Sequence, residues 1–74
     1  MRTQVSATER INRLLEQQER GYKWLHRQTG ISYGRILRVL KHRRQPLTFE
    51  DAAVIADALG VDLLVLAYET EEAA

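Results

Sequence analysis

Seventy-four residues carrying 11 Lys or Arg, 10 Asp or Glu, no cysteine and 45% apolar side chains describe one small domain with a modest core. Such a chain buries only about 60% of the surface its unfolded form exposes, which leaves little room for a deep pocket and argues against most enzymes. Without cysteine there is neither a disulfide framework nor a thiolate-bound zinc, and the net charge of +1 conceals a strong internal asymmetry.

In chain order, Ser6 followed three residues later by Glu9 reads as a capping box, and Ile11, Leu14 and Leu15 follow at helical spacing. These predict a first helix over about 7–19. Gly21 punctuates, and a short second helix over about 22–28 carries Trp24 and Leu25 before Thr29 and Gly30 end it. Ser32 is a suitable N-cap for a third helix over about 33–41, whose inward face is Ile36, Leu37, Val39 and Leu40. Its opposite face is Gly34, Arg35, Arg38 and Lys41.

A basic loop over 42–46 follows, and Thr48 with Asp51 forms a second capping box that opens a fourth helix. Ala52, Ile55, Ala56 and Leu59 line its inner side, Gly60 stops it, and Asp62 caps a last short helix from Leu63 to about Tyr68. The expected fold class is therefore all-α: a single five-helix domain spanning 1–74, ordered over about 6–68, with a frayed tail at 69–74. The apolar run Leu63 to Ala67 falls far short of the roughly 18 residues of a membrane span. Glu9, Arg10, Asn12 and Arg13 interrupt any apolar leader, so a cytoplasmic location is expected.

Residues 1–44 hold all 11 bases and three acids, for a net of +8, whereas 45–74 hold seven acids and no base, for −7. Between Arg20 and Phe49 stand eight bases, two histidines and no acid. An uncompensated basic surface attracts polyanions, and a merely solvated face usually intersperses acids. Two short helices joined by a glycine-containing turn, the second with a basic outer face, suit a helix-turn-helix, in which the first helix braces one that enters the major groove.

The stretch Leu25-His-Arg-Gln-Thr-Gly-Ile-Ser-Tyr-Gly-Arg-Ile-Leu-Arg-Val-Leu, with Arg43-Arg44-Gln45-Pro46 and Ala56-Asp-Ala-Leu-Gly-Val61, resembles the Cro and lambdoid-repressor type of helix-turn-helix, also called XRE-type. Leu25, Gly30, Ile31, Ser32 and Ile36 match the family's turn, and Ala56, Leu59, Gly60 and Val61 its later signature, so the likeness spans about 11–67. Two departures are visible. The family's usual alanine after the leucine is His26 here, which predicts looser packing or a side chain turned outward. Gly21 stands only four residues before Leu25, a short connection into the second helix.

The resemblance implies a lambda-repressor-like fold and a transcriptional regulator of a bacterium or phage, acting in the cytoplasm of the host cell by occupying an operator. Base contacts are expected from Ser32, Tyr33, Gly34, Arg35 and Arg38, with Arg38 the first candidate because arginine bonds guanine in bidentate fashion. Tyr33 has a second reading, packing beside the turn. Gly34 is either a point of close approach to DNA or neutral drift. Tyr22, Lys23, Lys41, His42, Arg43 and Arg44 are expected at phosphates. Arg27 and Gln28 stand between contact and solvent, while Arg2, Arg10 and Arg13 reach phosphates or, for the last two, pair with Glu9 or Glu16.

Leu64, Val65 and Tyr68 are expected to form a homodimer patch, the other reading being that the last turn folds back over them. The expected partners are double-stranded DNA and a second copy, with no membrane, small-molecule ligand, cofactor or metal. His26 and His42 lie 16 residues apart without cysteine or a suitably spaced carboxylate. Ser6 and Ser32 are better caps than nucleophiles, and no glycine-rich phosphate loop is present. Two other classes remain open: an antitoxin that binds a toxin while regulating its own promoter, and an architectural or excision factor that bends DNA.

Overall fold

The computed structural model describes residues 7–69, with side chains through Leu66. Ser6, the side chain of Tyr68 and everything from residue 70 onward, and with them the first capping box and the expected fraying, lie outside the described residues.

Five helical stretches and no strand make up those residues. Helix α1 (Ala7–Gln17) places Ile11 and Leu15 in the core. It ends two residues earlier than its apolar spacing suggests, because Glu19 adopts a left-handed φ of 57° that closes the turn. Helix α2 (Tyr22–Thr29) buries Leu25 and stops at Gly30, whose φ of 81° is the left-handed cap that glycine adopts without strain.

The third helix is not uniform. It starts as α3 (Tyr33–Ile36) and widens into a π-helical segment, Leu37–Lys41, in which the His42 N–H donates to the Leu37 carbonyl at 2.8 Å. Ile36, Val39 and Leu40 point inward as their spacing predicts, whereas Leu37, expected on the same face, is only half-buried and lies outside the core cluster. A π segment of five residues is too short for apolar periodicity to register the change.

Helix α4 (Phe49–Leu59) buries Ala52, Ile55, Ala56 and Leu59 and ends at Gly60, φ 78°. Helix α5 (Leu63–Glu69) follows, its Leu64 N–H donating to Asp62 Oδ1 at 3.0 Å. Leu66 is buried and Leu63 packs against the core. No polar or charged residue is buried among those described.

Two amides near the core rim, one on α1 and one just past its end, tie this part of the chain to the ends of other helices, where the last carbonyls lack intrahelical partners. Asn12 Nδ2 donates to the Leu40 carbonyl at 3.1 Å, and Gln18 Nε2 to the Leu59 carbonyl at 3.1 Å. No described helix is long and apolar enough to cross a membrane.

Candidate nucleic-acid interface

The turn between α2 and α3 is wired residue by residue. Thr29 Oγ1 donates to the Leu25 carbonyl at 2.8 Å and accepts from the Ile31 N–H at 3.1 Å. Ser32, with extended backbone, accepts from the Arg35 N–H at 3.2 Å, the expected N-cap. His26 does not turn away into solvent. Its half-buried ring lies in the turn, with Nδ1 2.7 Å from the Ile31 carbonyl, so Nδ1 carries the hydrogen and clips α2 to the start of α3. A carbonyl there offers the ring a partner that open solvent would have to replace.

From this turn α3 and the π segment present Ser32, Tyr33, Gly34, Arg38 and Lys41 on an exposed face. Tyr33 stands edge-on to the His26 ring, centroids 6.4 Å apart, with Lys23 Nζ 6.0 Å from its own centroid. It therefore packs beside the turn while remaining 37% exposed. Arg38 Nε donates to Gln45 Oε1 on the following loop.

Arg35 takes a different course. Its guanidinium reaches α4 and pairs with Asp51 at 2.8 Å, the two side chains 42% and 15% exposed. Only half of the expected second capping box is formed as a result. The Asp51 N–H donates to Thr48 Oγ1 at 3.1 Å, while the carboxylate pairs with the Arg35 guanidinium instead of the Thr48 N–H.

At the end of the π segment and in the loop beyond it, Lys41, His42, Arg43 and Arg44 are all exposed, and none forms an ion pair among the described residues. The loop is not slack. The Arg44 N–H donates to the Arg38 carbonyl at 2.8 Å, and Arg43 turns the chain with a left-handed φ of 56°.

At the start of α2, Arg20 lies over the Trp24 ring at 4.1 Å from its centroid, and Lys23 is exposed. Tyr22 is half-buried and faces inward, its hydroxyl donating to Asn12 Oδ1 at 2.7 Å. Burial raises its phenol pKa above the ordinary 10.0, with the Arg43 charge acting in the opposite direction. Its hydrogen is committed to Asn12, and a phosphodiester has none to donate in return, so a phosphate contact by this hydroxyl would require the Asn12 bond to be given up.

Arg27 and Gln28 are exposed, and Arg13 pairs with Glu9 at 3.1 Å on α1. Leu64 and Val65 on α5 are 52% and 39% exposed. No cluster of three or more His, Asp or Glu suited to a metal occurs among the described residues.

Sequence patterning did not point to Asn12, Gln45, or Asp51 as an arginine partner. Two are amides without a pattern to mark them, and Asp51 reads from the sequence as a cap. Comparison of the chain with protein-family models, with curated proteins and with solved structures finds no match.

Proposed function

We propose that the protein is a sequence-specific regulator that binds double-stranded DNA as a helix-turn-helix, with α2 bracing α3 and the π segment in the major groove. The observation that carries this reading is the single exposed surface formed by the outer face of α3 with the loop after it. Among the described residues no acid is paired to Arg38, Lys41, Arg43 or Arg44, which stand there.

Roles divide by geometry. Arg38, on the outer face, is the principal base reader, and Ser32, Tyr33 and Gly34 line the approach to it. Lys23, Lys41, His42, Arg43 and Arg44 flank that face and grip phosphates, which position the protein without carrying sequence information. Arg35, fastened to Asp51, is secondary to Arg38 in reading bases. A second copy joined through Leu64 and Val65 would set two such faces about 34 Å apart on a palindromic site.

Selection of bound sequences from a random duplex pool, followed by affinity measurements on single-base variants, tests the reading. Arg38→Ala should lose preference at one or two base positions, a cost of about 1–3 kcal/mol each. Arg43→Ala or Arg44→Ala should weaken binding to all duplexes alike. Full retention of site preference by Arg38→Ala would show the reading face to be misplaced.

A further inference from the structure

Arg38 is a long side chain on an exposed face, and such a side chain ordinarily loses rotamer freedom when it docks. Here it is already held on one side and has open space on the other. On one, its Nε–H donates to Gln45 Oε1. On the other, its Nη1 lies over Gly34, where an added Cβ would stand 3.4 Å from it. The loop that supplies Gln45 is itself anchored to residue 38, because the Arg44 N–H donates to the Arg38 carbonyl at 2.8 Å. Pro46 then narrows the backbone choices of Gln45 from the other side.

A guanidinium has five N–H donors in a rigid fork. With Nε committed to Gln45, the remaining donors are on the two Nη nitrogens, and these can meet guanine O6 and N7 end-on.

We infer that Gln45 is a positioning residue that presents Arg38 for end-on reading of one guanine, with Gly34 as the open seat for Nη1. The inference rests on the reading of Arg38 as a base-contacting residue. Gln45 sets specificity without touching the base: it holds the fork in its bound orientation before DNA arrives, so the ordering cost falls on the free protein. A released Arg38 could still reach the guanine, but it would also sample side-on and phosphate-bound poses that other base pairs satisfy equally well.

The test is a double-mutant cycle with Arg38→Ala, Gln45→Met and the double variant, each checked for wild-type helicity by circular dichroism. Affinity is measured on the duplex selected by the wild type and on the duplex altered at the base pair that Arg38→Ala ceases to distinguish. Gln45→Met should lower the preference at that base pair about 2- to 10-fold, the scale of one side chain's ordering cost. Affinity for an unrelated duplex should stay within about twofold, and Gln45→Met should add nothing in the Arg38→Ala background.

NMR relaxation gives a readout independent of DNA. The Arg38 Nε–H should be restricted in the free wild type and mobile in Gln45→Met. Three results would overturn the inference alone: unchanged preference in Gln45→Met, an effect of Gln45→Met that persists without Arg38, or a mobile Nε–H in the wild type. A base preference that Arg38→Ala leaves intact at every position would overturn the inference together with the reading beneath it.

Discussion

Gly34 stands on the outer face of α3, where nothing but the far end of Arg38 lies near the position of a Cβ. Glycine in a helix is less stable than alanine by about 0.5–1 kcal/mol. Gly34→Ala should therefore stabilise the fold by about that amount in urea titrations, since a long side chain can give way at an ordinary contact distance. A loss of stability would show that the helix there needs the glycine backbone.

Tyr22 gives the residue scale a pH dependence with a definite sign. Its folded-state pKa lies above the unfolded value near 10.0, so above that pH the native chain retains a proton that the unfolded chain releases. Stability then falls as pH rises. The contribution is full below pH 10.0 and is lost as pH climbs from there through the raised value. Tyr22→Phe should remove that slope in denaturant titrations across the alkaline range.

At the scale of elements, α1 holds the end of the π segment in place through one amide. Asn12 accepts from Tyr22 and donates to the Leu40 carbonyl, so it joins α2, α1 and the π segment in a chain of two hydrogen bonds. Asn12→Ala leaves both partners half-satisfied and should cost about 1–3 kcal/mol by chemical denaturation. Tyr22→Phe should cost less when Asn12 is already absent, and strict additivity of the two would show that they act separately.

The Arg35–Asp51 pair joins α3 to the first turn of α4. With both groups partly in water it contributes no more than about 1 kcal/mol. Asp51→Asn keeps the backbone donor of the Thr48 cap, so it should lower stability only slightly. On the proposed function it also frees one cation, and the slope of log K against log salt should steepen by about 0.9. An unchanged slope would mean that Arg35 lies too far from DNA to take part.

For the whole molecule, α5 turns Leu66 into the core and leaves Leu64 and Val65 partly in water. The proposed dimer would cover these two side chains. Sedimentation equilibrium up to about 100 μM, a range suited to small interfaces, should find self-association that Leu64→Glu with Val65→Glu abolishes. A wild type that stays monomeric both free and on a palindromic duplex would remove the dimer from the proposal. About five phosphate contacts per monomer predict a salt slope of roughly −4 to −5, and a slope near zero would remove the phosphate clamps.

Helix positions, their caps and the inward faces were legible in the sequence because they depend on local chemistry. Ser32 and Thr48 cap through their own hydroxyls, Gly30 and Gly60 take left-handed conformations, and apolar residues recur with the helical period. The basic stretch was legible for a similar reason, since a run of eight bases without an acid leaves no neighbour in sequence to neutralise it. Long-range partners were not legible, because side chains distant in sequence meet only after the helices pack. The meeting of Arg35 with Asp51, the pairing of Asn12 with Leu40 and the fastening of Arg38 to the loop belong to this kind. The same packing gave His26 a carbonyl to clip, although its place in the chain suggested a misfit. Sequence by itself determined which residues are helical, which face inward and which half is basic. Tertiary structure alone decided which arginine is bound across to another helix and which is held on the outer face, because that choice depends on where the acid and the amide arrive.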